Sequence, residues 1–178
     1  MAEFVAWPKI KRITQFDPMH ITITEKMDGT NGAIIIENGK LIGAQSRNRL
    51  IGKRWGFEDN MGFGQWVSDH EEELVQLGDG HHYGEWCGPK IQGNRHGLEH
   101  KIFYLFNVSR WTEDRPECCG VVPLLFEGHY TKELADEILN QLVLERGYEP
   151  EGIMMYFYAF DKYLKHTLHN TEGKWKEG

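Results

Sequence analysis

Two hydrophobic periods run along this chain. In His20-Ile21-Thr22-Ile23-Thr24, β-branched apolar residues alternate with polar ones, which predicts a strand over 20–25 with one buried face. Gly32-Ala33-Ile34-Ile35-Ile36-Glu37 predicts a second strand, and Asn38-Gly39 supplies a tight turn into a third over 40–46. Similar runs predict strands over 81–87, 101–108, 121–127, 151–159 and 162–167. The helical period occurs twice. From Gly64 to Leu77, Trp66, Val67, Leu74 and Leu77 form a stripe beneath an acidic face. From Lys132 to Arg146, Thr131 is the N-cap and Gly147 the stop, and Leu134, Ile138, Leu142, Val143 and Leu144 lie mostly on one side. Many strands and two helices predict an α+β domain, with antiparallel sheets flanked by helices and enclosing a cleft.

Between the first two strands lies Glu25-Lys26-Met27-Asp28-Gly29-Thr30-Asn31, which sets Lys26 at a strand end beside a glycine turn. A lysine held this way can attack a nucleotide once its ammonium loses a proton, which desolvation or a nearby cation promotes. Taken alone, Lys-x-Asp-Gly describes an exposed lysine near a turn equally well. Four further segments follow it in order: Ser46-Arg47-Asn48-Arg49, Tyr83-Gly84-Glu85, Phe103-Tyr104-Leu105-Phe106-Asn107-Val108 and Glu151-Gly152-Ile153-Met154-Met155. Lys162-Tyr163-Leu164-Lys165-His166 closes the series.

Together these segments resemble the ordered motifs of the covalent nucleotidyltransferase superfamily, and most nearly ATP-dependent RNA ligases of the RNA ligase 2 type. The resemblance runs from Trp7-Pro8-Lys9-Ile10 to about His166. It implies a nucleotidyltransferase (ATP-grasp-like DNA/RNA ligase) cleft, ATP as cofactor and magnesium or manganese as metal. It also implies that Lys26 attacks the α-phosphorus to give lysyl-AMP. AMP would then pass to an RNA 5′-phosphate end, which a 3′-hydroxyl attacks to seal the strand. Arg47 and Lys165 would face the phosphates, Glu85 would hold the ribose, Phe106 would stack on adenine, and Glu151 would bind the metal. Glu25 and Asn31, flanking the nucleophile, would contact the nucleotide. The last motif departs from the pattern of two lysines one residue apart, since Lys162 and Lys165 stand three apart and residue 163 is Tyr, which leaves Lys162, another residue or none as the second cation toward the nucleotide. Asn107 stands where Asp is common, which removes a charge. Other acceptors remain open on this reading, namely a DNA nick or a capping-type diphosphate end served by GTP, as does a non-catalytic nucleotide-binding or nucleic-acid-binding domain.

Composition narrows the setting. The 178 residues suit one adenylation domain spanning 1–178. Related ligases add a C-terminal OB-fold or helical domain, so this chain is expected to be a minimal catalytic unit that acts alone or with a separate nucleic-acid-binding partner. No apolar run reaches membrane-span length, and three cysteines make no disulfide framework, which predicts a cytoplasmic protein without a membrane partner. The net charge of −7 disfavours tight coating of a duplex. However, Arg47, Arg49, Lys53 and Arg54 form a local basic strip that suits handling of a strand end. The histidines at 81, 82, 96 and 100 show no metal-ligand spacing with a third ligand and read as ordinary polar residues.

Overall fold

The computed structural model describes residues 16–169, so Trp7-Pro8-Lys9-Ile10 lies outside the described residues. The strands are β1 (His20–Glu25), β2 (Thr30–Glu37), β3 (Lys40–Ser46), β4 (Leu50–Ile51), β5 (Gly80–Cys87), β6 (Ile102–Leu105), β7 (Cys119–Val121), β8 (Leu124–His129), β9 (Gly152–Phe157) and β10 (Lys162–Thr167). The helices are α1 (Phe63–Asp69), α2 (Glu71–Leu74) and α3 (Lys132–Glu145). Strands form two sheets, ordered β10-β9-β1-β8 and β4-β3-β2-β5-β6-β7. All pairings are antiparallel except that of β6 with β7, as the α+β reading predicts apart from this one pair.

Each sheet buries one face beneath helices. Ile21, Ile23, Ile153, Met155 and Phe157 of the four-stranded sheet pack with Ala135, Leu139 and Leu142 of α3. Ile34, Ile36, Trp86 and Phe103 of the six-stranded sheet pack with Phe63 and Val67 of α1 and with Leu74 of α2. The opposite faces flank the cleft. Met27, Cys87 and Val122 form a small third cluster at its base, with Tyr104 and Phe106 against it.

Three expectations change. The helix expected over 64–77 is broken at His70 (φ −107°, ψ 21°), whose Nδ1 bonds the Trp66 carbonyl at 2.8 Å. A 3-10 turn completes the segment, yet Val67, Leu74 and Leu77 remain buried as the stripe required. The strand expected over 121–127 is two strands in different sheets, split at Val122-Pro123. Pro123 has no N–H to continue a ladder, and its carbonyl instead accepts the Glu25 N–H at 2.9 Å. On α3, Leu144 is 85% exposed, and Ala135 and Leu139 fill the buried stripe in its place.

Candidate nucleotide site

Strand alternation divides the residues around the nucleophile between two faces. Glu25 follows Ile21 and Ile23 on the α3 side of β1, and Lys26 turns to the cleft. The Lys26 N–H donates to the Gly152 carbonyl at 2.9 Å, which ties the end of β1 to the start of β9. Beside that tie, Lys26 Nζ lies 2.6 Å from Glu151 Oε1. Gly152 fits there because a Cβ would come within 2.2 Å of the His166 carbonyl oxygen. Gly29 is required for a similar reason, since its Cβ would meet the Trp86 carbonyl oxygen at 2.4 Å.

On the facing sheet, β2 and β5 set Asn31 directly opposite Glu85. Asn31 Nδ2 donates to Glu85 Oε2 at 2.8 Å. Burial pushes the Glu85 carboxyl up to about 7, the Glu151 charge adds to the rise, and Lys26, Asn31 and the Gly29 backbone oppose it. Glu85 and Glu151 are thus two carboxylates near one ammonium. Among the described residues no group of three or more His, Cys, Asp or Glu converges as metal ligands. That donor set fits magnesium or manganese, since Mg²⁺ takes one or two carboxylates and completes its shell with water and substrate phosphates.

A cavity of about 250 Å³ opens along the cleft face of β1 and β9, lined by Thr24, two residues before Lys26, and by Thr22, Met154 and Tyr156. Thr24, Met154 and Lys165 form one cross-strand row on the cleft face, and Thr22, Tyr156 and Tyr163 form the next. Phe106 and Asn107 close the cavity from the other sheet. Its dimensions and the flat Phe106 ring suit a nucleobase.

The RNA ligase family model matches residues 19–178. The chain belongs to the RNA ligase family. Among solved structures, this RNA ligase family member is similar to the Naegleria gruberi RNA ligase with PPi, at 21% identity and TM-score 0.62 over 84% of this chain and 50% of that one. A variant of that ligase with ATP and Mn aligns at 20% identity and TM-score 0.59, over 87% and 51%. Another with AMP and Mn gives 19% and 0.59, over 84% and 50%. The family member described here therefore spans about half the length of these chains and shares their fold. No curated protein sequence matches it.

The other residues singled out from the sequence of this RNA ligase family member separate clearly. Lys165 stands on the cleft face of β10. Lys162 pairs with Phe157 on the α3 face, the same face from which His166 reaches Asp136 at 2.8 Å. Tyr163, not Lys162, is therefore the neighbour of Lys165 in the cleft. Arg47 is exposed in the turn between β3 and β4. Glu25 is 1% exposed, and both its oxygens are engaged on the α3 side. Arg146 donates to Oε2 from Nε at 2.9 Å and from Nη2 at 2.6 Å, and the Tyr148 hydroxyl donates to Oε1 at 2.6 Å. His96 Nε2 accepts from the Asp28 N–H at 2.9 Å, and Arg95 donates to Asp28 at 2.7 Å. The loop carrying Lys26 is thus gripped from behind by residues 95–96 and 146–148. The sequence reading missed Met154 and Tyr156, although alternation along β9 from the core residues Ile153 and Met155 points them into the cleft. Arg146 and Tyr148 gave no such local signal.

Proposed function

We propose that the protein is an ATP-dependent RNA ligase that works through a lysyl-AMP intermediate on Lys26. The observation that carries this reading is the 2.6 Å contact of Lys26 with Glu151, side chains 125 residues apart at the ends of strands whose Thr24 and Met154 line a cavity of about 250 Å³. The family match supplies the RNA ends as substrate class.

On this reading adenine lies between Phe106 and Met154, and its ribose hydroxyls donate to Glu85, which Asn31 orients. Lys165, at the cavity rim, faces the α-phosphate, and Arg47 reaches the outer phosphates from its turn. Fixed cations at those positions stabilise the charge that grows on the phosphate oxygens during transfer. Glu25 acts from behind the loop through Arg146 and Tyr148, and Lys162, on the far face, has no place in the nucleotide contact. Glu151 and Glu85 would hold magnesium or manganese, which when bound neutralises phosphate charge and orients the leaving group.

Lys26 must leave its bond to Glu151 and lose a proton before Nζ can attack. It then forms a P–N bond to the α-phosphorus as the bond to pyrophosphate breaks. A 5′-phosphate oxygen of the RNA displaces Lys26 from AMP, and a 3′-hydroxyl oxygen finally displaces AMP from the 5′-phosphorus.

The protein, freed of pre-bound AMP, is incubated with Mg²⁺ and α-labelled ATP without RNA, then denatured. Label is expected to stay on the protein and to be lost in Lys26→Ala. Absence of label with both ATP and GTP would overturn the ligase reading, and label from GTP alone would point to capping chemistry.

A further inference from the structure

We propose that the open half of the six-stranded sheet's cleft face is a track for single-stranded RNA, ending in a pocket for one unpaired base. The proposal rests on the ligase reading above and adds where the strand lies. Glu85, Tyr83 and His81 follow one another on one face of β5, opposite Asn31, Ala33 and Ile35 of β2. Side chains on one strand face recur every ~6.7 Å, so Tyr83 and His81 lead stepwise away from the nucleophile. Tyr83 is 55% exposed, and its ring stacks on that of His81 at 6.2 Å and 21°.

Beyond His81 a second cavity of about 230 Å³ opens, walled by Trp55, Phe57, Leu50 and Ile35. Gly43 keeps its floor flat, because a Cβ there would meet only Ile35 Cδ1, at 3.6 Å. Leu50 and Phe57 are 44% and 43% exposed, a wide apolar opening for a surface that faces water. Unpaired bases are recognised by stacking on aromatic side chains and by hydrogen bonds to their edges. Glu37, at the rim, is an acceptor suited to an exocyclic amine.

Charge favours RNA over a protein partner. Arg49 and Lys53 lie exposed in the segments that carry Leu50 and Trp55 of this cavity; Arg49 bonds the Glu58 and Asp59 carbonyls at 3.3 Å, and among the described residues neither cation has a carboxylate partner. Arg54, their neighbour, is neutralised by Glu71 at 2.6 Å. Cations whose charge no carboxylate offsets, beside an aromatic, apolar cleft, match a phosphate backbone with splayed bases.

The test uses Gly43→Val, which places methyl groups in the cavity at an ordinary strand position, and Tyr83→Ala at an exposed one. Both variants and the unsubstituted protein are titrated into fluorescein-labelled, 5′-phosphorylated single-stranded RNA at fixed salt, and lysyl-AMP formation is measured without RNA. Each variant is expected to form lysyl-AMP at the unsubstituted rate and to bind the RNA roughly tenfold more weakly, the effect of one lost stacking contact. Photocrosslinks from 5-iodouridine RNA should map to Tyr83, His81 or Phe57. Unchanged RNA affinity in both variants, or crosslinks confined to other surfaces, overturns the proposal. Failure of the ligase reading is seen separately, as absence of lysyl-AMP in the unsubstituted protein, and the RNA titration still reads the track.

Discussion

The buried carboxyl of Glu85 imposes a cost in stability that depends on pH. It is held at about 7 chiefly by burial, so the folded protein retains that proton more tightly than the unfolded chain, where the ordinary value is 4.5. Stability from this group therefore falls as pH rises from about 4.5 to 7, and the loss is complete above that window. Glu85→Gln keeps an acceptor for Asn31 and cannot ionise. In EDTA and without nucleotide, the variant should be more stable than the parent at pH 8, by up to about 3 kcal/mol for a shift of this size. At pH 4, below the ordinary value, the two should nearly coincide. Equal differences at the two pH values would show that the Glu85 carboxyl holds its proton no more tightly in the folded protein than in the unfolded chain. The sequence made Lys26 legible because it stands between a strand run and a glycine turn, and Glu85 because Tyr83-Gly84-Glu85 falls within an ordered series of motifs. It did not show that Glu85 would be buried against Asn31, because that contact depends on the register of β2 with β5.

At the scale of elements, α3 does more than cover a sheet. Thr131 caps its start, with the Thr131 Oγ1 accepting the Leu134 N–H at 3.1 Å, and this local signal was readable. Its end is different. Arg146 leaves the helix in an extended conformation and neutralises Glu25, a carboxylate 1% exposed and next to the nucleophile in sequence. Removing one partner of a buried ion pair costs about 3–5 kcal/mol, while replacing both with apolar residues can be nearly neutral. Arg146→Met should therefore destabilise by about 3 kcal/mol, less whatever Tyr148 retains, and adding Glu25→Leu should recover much of that loss. Urea denaturation of the two single variants and the double variant measures this. Additive losses would mean that the pair is not coupled. Alternation of Ile21, Ile23 and Glu25 marked the buried side of β1, but nothing local named a partner 121 residues away. His70 and Pro123 likewise broke elements where the hydrophobic period ran on, because the period reports burial and not backbone continuity.

The whole molecule joins parts of different origin. In the six-stranded sheet, β2, β3 and β4 are successive hairpin neighbours, whereas β1 of the four-stranded sheet pairs with β8 and β9 from the distant half of the chain. Hairpins were legible from Asn38-Gly39 and its flanking runs. The long-range pairing was not, since a strand pattern names a buried face and not a partner. The consequence is a cleft between two sheets, with the chain crossing from one to the other at Lys26-Met27-Asp28-Gly29 and at Val122-Pro123. On the proposed reading a nucleotide would touch Phe106 and Glu85 from one side of the cleft and Met154 and Lys165 from the other, so it should tie the sheets together. A ligand that binds only the folded state at a hundred times its dissociation constant adds about 2.7 kcal/mol. For a chain of this size each kcal/mol raises the melting temperature by about 2–4 °C. ATP with Mg²⁺ should therefore raise the melting temperature of Lys26→Ala by about 5–10 °C, since that variant can bind the nucleotide without consuming it. Phe106→Ala in the same background should lose most of the shift, because the base would then rest on one sheet alone. A full shift without Phe106 would place the nucleotide outside this cleft, and no shift in either protein would mean that the two sheets do not form its site.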